Sequence, residues 1–253
     1  FIANDTFKEL RNNNELIYVF NQDKQKFDFK NNEIIQKKIP NSKIRYTYIP
    51  RKRTGVWYLL YVINLFKQQR IALRQKGSKK HYNALKRFYI NEIGRRNLFL
   101  AILAGYPIIY QIINFAFSLK LGIHEDVTNL IEIEKPDLLI HPSFLHGYFI
   151  NELFKVSPKY EVPFIILTNS WDNCCTKAFC TGLPDKLVVW GEHSQKHAKQ
   201  YMGMSEKDIL CFGAAQFEVY KHAPEEDRET LAKLFGVDPN KKILLYAGCL
   251  LYT

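Results

Sequence analysis

The cluster Asn169-Ser170-Trp171-Asp172-Asn173 follows an apolar run at 163–168. Ser170, Asp172 and Asn173 set a hydroxyl, a carboxylate and an amide within four residues. A carboxylate in such a setting can take the proton of an attacking hydroxyl or orient a sugar hydroxyl, and Asp172 is the candidate for either role. Trp171 offers a flat face on which a ring can stack. Lys177, a few residues on, offers a cation to a phosphate. His141 ends an earlier apolar run and is a second candidate base, because imidazole ordinarily titrates near neutrality. Each residue also has a plainer reading. Asn and Asp build Asx-type turns that cap a following helix. Trp171 also suits a buried wall between domains, and a strand-ending histidine also suits ordinary hydrogen bonding.

The elements that must hold these residues alternate. Short strands are expected at 16–20, 44–49, 137–141, 163–168, 187–190, 208–212 and 242–246. Helices are expected at 124–133, 144–154, 192–202 (stopped by Gly203) and 225–235 (capped by Gly236). A longer helical region at 55–90 breaks near Gly77-Ser78. Short apolar strands alternating with helices imply an α/β fold, a Rossmann-like parallel sheet with helices on both faces. Ligands in such sheets bind beyond the carboxyl ends of the strands. His141, Asn169–Asn173, Trp190-Gly191-Glu192-His193 and Gly213-Ala214-Ala215-Gln216 all stand there.

The net charge of +11 is unevenly placed. Residues 37–96 hold 17 Lys/Arg against one acid, Glu92, so the rest of the chain is net acidic. This block is interleaved with aromatics such as Tyr46, Tyr48, Trp57 and Tyr58. Residues 98–121 follow with no charge before Lys120; a buried or interfacial helix pair kinked at Pro107 is expected there, with a membrane span, or an exposed apolar patch that docks on a membrane or a partner, as the alternatives. The five cysteines are odd in number and lack metal-ligand spacing, which fits a reducing compartment. Cys211 and Cys249 lie in or beside apolar runs and read as buried thiols. His193 and His197 stand four apart, but the segment His-Ser-Gln-Lys-His lacks the Glu of a zinc protease, so a solvated helix face is expected. With His141 and His146 they make no recognised zinc spacing. No dinucleotide fingerprint and no Walker-type loop is present. The chain starts at Phe1 and stops shortly after the apolar run at 243–248, so a chain cut just after the first strand of a second domain is expected.

Three stretches carry a resemblance. They are Asn169-Ser170-Trp171-Asp172-Asn173-Cys174-Cys175-Thr176-Lys177, Pro184-Asp185-Lys186-Leu187-Val188-Val189-Trp190-Gly191-Glu192 and Gly213-Ala214-Ala215-Gln216-Phe217-Glu218-Val219-Tyr220. Over residues 136–248 the chain resembles a bacterial family of GT-B-type glycosyltransferases. Relatives of that family include surface-polysaccharide and, more distantly, polyglycerolphosphate-type transferases. Its usual pattern is Ser-Trp-Asp-Asn-Leu-Thr-Thr-Lys-Gly, matched by Ser170–Asn173, Thr176 and Lys177, with Cys174, Cys175 and Ala178 departing from it. Its later pattern is Gly-x-Pro-Gln-Phe-Asp, matched by Gly213, Gln216 and Phe217, with Ala215 and Glu218 departing.

The resemblance implies two Rossmann-like domains across a cleft. An acceptor-side domain would span 1–220, with a basic and apolar membrane-facing region at 37–121. Residues 221–253 would be a linker helix and the first strand of a donor-binding domain. The activity implied is transfer of a sugar from a nucleotide-sugar donor to a hydroxyl of a glycan or lipid-linked acceptor, by the full-length enzyme and not by the fragment. Asp172 and His141 would be catalytic, and Ser170, Trp171, Asn173, Lys177 and Gln216 would bind substrate. No cofactor or metal is expected. The expected location is cytoplasmic, peripheral to the inner face of the plasma membrane, with the basic block against anionic lipid. Three rivals remain: a nucleic-acid binder using the basic block, a noncatalytic scaffold with a degenerate transferase fold, and a small-molecule oxidoreductase. No zinc-finger, RRM or KH signature supports the first, so no specific nucleic acid is expected, and the missing fingerprint weighs against the last.

Overall fold

The computed structural model of the 253-residue chain describes residues 7–20, 44–49, 55–74, 79–142, 149–176, 182–223 and 226–242. The chain divides into two compact units, Phe1–Ala215 and Gln216–Thr253.

The first unit opens with helix α1 (Lys8–Asn13), then strands β1 (Leu16–Phe20) and β2 (Ile44–Tyr48), which pair in parallel with Leu16 opposite Ile44. Four further strands form a second sheet: β3 (Leu139–His141), β4 (Phe164–Leu167), β5 (Lys186–Val189) and β6 (Ile209–Cys211). They lie in the order β3-β4-β5-β6 and every pair is parallel. The fold is thus α/β with a four-stranded parallel sheet and flanking helices; five of the six strands lie within the spans expected for them, and β5 starts one residue before its own, at Lys186.

Strand alternation decides what the sheet buries. Phe164 and Ile166 of β4, Leu187 and Val189 of β5 and Ile209 of β6 share one face and form the core. Three helices supply its cover: α7 (Ile150–Tyr160), the single turn α8 (Asn173–Thr176) and α9 (Glu192–His197) with its π-helical extension Ala198–Met202. Ile150, Cys174, Ala198 and Met204 close over the strands. On the opposite face Ile140 and Leu210 are exposed, while Ile165, Leu167 and Val188 are half-buried. The expectation of helices on both faces is therefore met on one side of this sheet among the described residues. Strand order gives the reason: it advances in one direction, so right-handed crossovers set α7, α8 and α9 on the same side.

Between β2 and β3 stand α2 (Gly55–Arg74), α3 (Lys79–Ile93), α4 (Arg95–Ala104), α5 (Pro107–Leu121) and α6 (Glu125–Glu134). Leu60, Leu65 and Phe66 of α2 centre a separate core with Tyr89, Leu98 and Tyr110. The break expected near Gly77-Ser78 falls between α2 and α3, in residues outside those described. Pro107 sits at the first turn of α5, where its missing N–H costs nothing. Helices α4 and α5 meet there at 103°. Gly105 fits this elbow against α2, since a Cβ there would lie 2.9 Å from the Lys67 backbone nitrogen. No single helix among the described residues is long and apolar enough to cross a membrane.

The helix expected at 144–154 is corrected to α7. Phe149 takes left-handed backbone angles, with φ at 64°, so a helix cannot run through it and α7 begins at Ile150. Cys211 is corrected too. It lies on the edge strand β6, beyond the cover of the helices, and is exposed.

3-10 turns over Ala215–Lys221 start at the last residue of the first unit, and the second unit contains α10 (Arg228–Phe235). Asp227 caps α10 by accepting from the Thr230 N–H at 2.7 Å, and Gly236 ends it at φ 64°. The last expected strand lies, beyond Lys242, outside the described residues.

Candidate functional site

Four loops leave the carboxyl edge of the parallel sheet in adjacent positions, because its four strands run the same way. The loop after β4 is held by bonds from its neighbour. Thr168 donates from its N–H and its Oγ1 to the Val188 carbonyl, at 2.9 and 3.0 Å. Trp190, just past β5, donates from Nε1 to the Thr168 carbonyl at 3.2 Å. Ser194 Oγ donates to the Trp171 carbonyl at 3.0 Å. The start of α9 thereby fixes the turn that carries Trp171 and Asp172.

Within the turn, the Ser170 hydroxyl donates to Asp172 Oδ1 at 2.6 Å, a short charge-assisted bond. Asn173 Nδ2 donates to Asn169 Oδ1 at 2.8 Å. Asn173 is only 1% exposed, and its Oδ1 is buried without a hydrogen-bond partner. The Asp172 carbonyl accepts from the Cys175 N–H at 3.0 Å and starts α8. Helix α2 reaches the same place, with Gln69 Nε2 donating to the Cys175 carbonyl at 3.2 Å. The cluster is thus a capping turn and also presents a half-buried carboxylate. Both sequence-based readings of it describe one piece of geometry.

Trp171 is 51% exposed and stands 5.8 Å, ring to ring, from His193. The row continues to His197 at 4.2 Å and to Tyr201 at 5.4 Å. The solvated face expected for His193 and His197 is corrected here. His193 is exposed, but His197 is half-buried, and its Nδ1 is enclosed without a hydrogen-bond partner. Burial lowers the His197 pKa, His193 lowers it further, and Asp172 opposes both. The sequence held the signal for this row, namely rings spaced four apart at 193, 197 and 201 on one helix face.

Burial pushes the Cys174 thiol up to about 12 and the Cys175 thiol up to about 11, and the charge of Asp172 adds to both. A thiol held so high stays protonated at neutral pH and is a poor nucleophile. Cys174 is fully buried in the sheet core, and Cys175, half-buried, donates from Sγ to the Asp172 carbonyl at 3.3 Å.

His141 ends β3 beside Ile166 of β4, on the helix-covered face, and is 9% exposed. It shares the carboxyl edge with the cluster but is buried and already engaged. Ser170, Trp171, Asp172 and Asn173 are brought together. Lys177 and His146 lie outside the described residues. Gln216 is exposed and belongs to the second unit. Among the described residues no group of three or more His, Cys, Asp or Glu is arranged to hold a metal ion. A shallow hollow of about 630 Å³ between Lys135, Tyr160 and Val162 opens at the amino ends of β3 and β4. That is the opposite edge of the sheet from the cluster. No protein family, no curated protein and no solved structure matches this chain.

Proposed function

We propose that the chain is the acceptor-side part of a GT-B-type glycosyltransferase. One observation carries the reading: the hydrogen-bonded Ser170–Asp172 pair beside an exposed Trp171, at the carboxyl edge of a parallel sheet. A parallel sheet gathers its ligands at that edge. The indole of Trp171, backed by His193, suits the apolar face of a sugar ring. The Ser170 hydroxyl donates to Asp172 Oδ1, which orients the carboxylate that would take the proton of an acceptor hydroxyl. In the reaction, the acceptor oxygen attacks the anomeric carbon of a nucleotide sugar. The bond from that carbon to the diphosphate breaks, the diphosphate leaves with the electron pair, and the hydroxyl proton passes to Asp172.

The test uses the protein with its donor-side domain in place, a panel of nucleotide sugars and glycan or lipid-linked acceptors. Nucleotide release that depends on one donor and on acceptor is expected. Asp172→Ala is expected to lower turnover by about 10²-fold or more, while acceptor quenching of Trp171 fluorescence persists in that variant. Turnover unchanged by Asp172→Ala sinks the assignment.

One observation favours a second reading, a noncatalytic scaffold: the polar side chains of the turn bond largely to one another. That reading predicts that Asp172→Ala lowers the melting temperature and that no donor in the panel is consumed.

A further inference from the structure

Helix α5 carries two apolar faces. Tyr110, Ile113 and Phe117 face inward and join the α2 core. Ile108, Ile112, Phe115 and Leu119 follow the spacing i, i+4, i+7, i+11 and form a second stripe on the other side. These four are 74, 65, 67 and 71% exposed. Helix α4 repeats the arrangement, with Leu98, Ala101 and Ala104 buried and Phe99 and Leu103 exposed. Side chains so exposed over two consecutive helices form an apolar surface far beyond scattered single residues, and such a surface marks a docking site.

Charge says what docks. No acid or base occurs from 98 to 119. At the start of α4 stand Arg95 and Arg96, and on α3, which packs against α4, stand Lys79, Lys80 and Arg87, all exposed. An apolar face with a cationic rim complements anionic headgroups over acyl chains. A second copy docked on the same face would bring two cationic rims together. The back of the elbow decides the depth. Arg70 of α2 donates from Nη2 to the Ile102 carbonyl at 2.9 Å, and its guanidinium lies 3.3 Å from the centre of the Tyr106 ring. Lys67 Nζ sits 4.1 Å from the centre of the Tyr110 ring. A spanning pair would drag these cations into hydrocarbon, whereas a pair lying in the surface keeps them on the protein side.

We infer that the outer faces of α4 and α5 seat in one leaflet of an anionic phospholipid bilayer, with the basic α3–α4 rim at the headgroups. This docking stands on the helical region alone and holds whether or not the strand-end cluster transfers a sugar. The test is co-sedimentation of the 253-residue chain with vesicles of phosphatidylglycerol in phosphatidylcholine, against phosphatidylcholine alone. Binding to the anionic vesicles that weakens with salt is expected. The double variant Ile112→Asp, Phe115→Asp is expected to lose about tenfold or more of that binding, and Arg95→Glu, Arg96→Glu to weaken it while keeping the helical circular dichroism. In the Phe115→Trp variant, lipid brominated near the headgroup is expected to quench more than lipid brominated at the chain ends, a readout that survives if the double variant misfolds. Equal binding by wild type and double variant overturns the inference. So does an unquenched Phe115→Trp variant, quenching strongest at the bilayer centre, or a solution dimer that the double variant splits without any vesicle binding.

Discussion

The strand-end region and the α2–α5 region handle apolar and polar groups in opposite ways. Around β3–β6 the apolar side chains alternate, the inner set is buried, and the polar loop residues bond to one another. Across α4 and α5 the apolar residues outnumber the inward positions, so half of them stand in solvent while α2 places its cations behind them. Hydrophobic sequence therefore has two destinations in this molecule. Both regions carry two apolar sets: strand alternation buries one and leaves Ile165, Leu167 and Val188 half-buried on the other face, whereas the outer stripe of α5 stands exposed.

The contrast is sharpest for two phenylalanines. Phe66, fully buried in α2, should cost about 3–5 kcal/mol of stability when changed to Ala, by chemical denaturation. Phe115, in the outer stripe of α5, should change stability by only about 0.5 kcal/mol or less on the same change. Equal losses would mean that the outer stripe is packed in solution and would break the comparison. Next in size is Gly105→Ala. Its new Cβ would meet the Lys67 nitrogen at 2.9 Å and the Phe66 carbonyl carbon at 3.3 Å, both backbone atoms that cannot swing aside. A loss of about 1–3 kcal/mol is expected, read as a lower denaturation midpoint.

A smaller effect tests the polar region. The pKa of His197 is lowered, chiefly by burial. The unfolded chain then takes the extra proton first. The stability linked to this group is complete above the ordinary histidine range and is lost as pH falls through the lowered folded value. Melting temperature should therefore drop as pH falls from neutrality through and below the ordinary histidine range, and His197→Gln should flatten that drop. The smallest effect is one of labelling. Exposed Cys211 should alkylate ahead of Cys174, whose thiol is buried and held up to about 12, as read by peptide mass mapping in native buffer.

Much of this was legible beforehand. The strands at 16–20, 163–168 and 187–190 announced themselves as short apolar runs closed by turn residues, and the elbow at Pro107 by a ring that cannot continue a helix. The Ser170–Asn173 cluster was legible because its residue types are rare together after a strand. The start of α7 was not, since the left-handed turn at Phe149 is imposed by packing, with Phe149 buried against α6. The row Trp171–His193–His197–Tyr201 was half legible. Its helical spacing can be read from the chain, but Trp171 joins it only because β4 and β5 are neighbours.

By itself, then, the sequence determined the strands to within a residue or two, which residues cap the loop after β4, and that positive charge gathers ahead of an uncharged run. These follow from local periodicity and turn chemistry, which need no distant partner. Only the tertiary structure decided that Cys211 is exposed, that His197 is enclosed, and that α4 and α5 each turn one apolar face outward. Burial is a property of what lies across from a residue. A chain that folds back on itself sets those neighbours by packing between segments far apart in sequence.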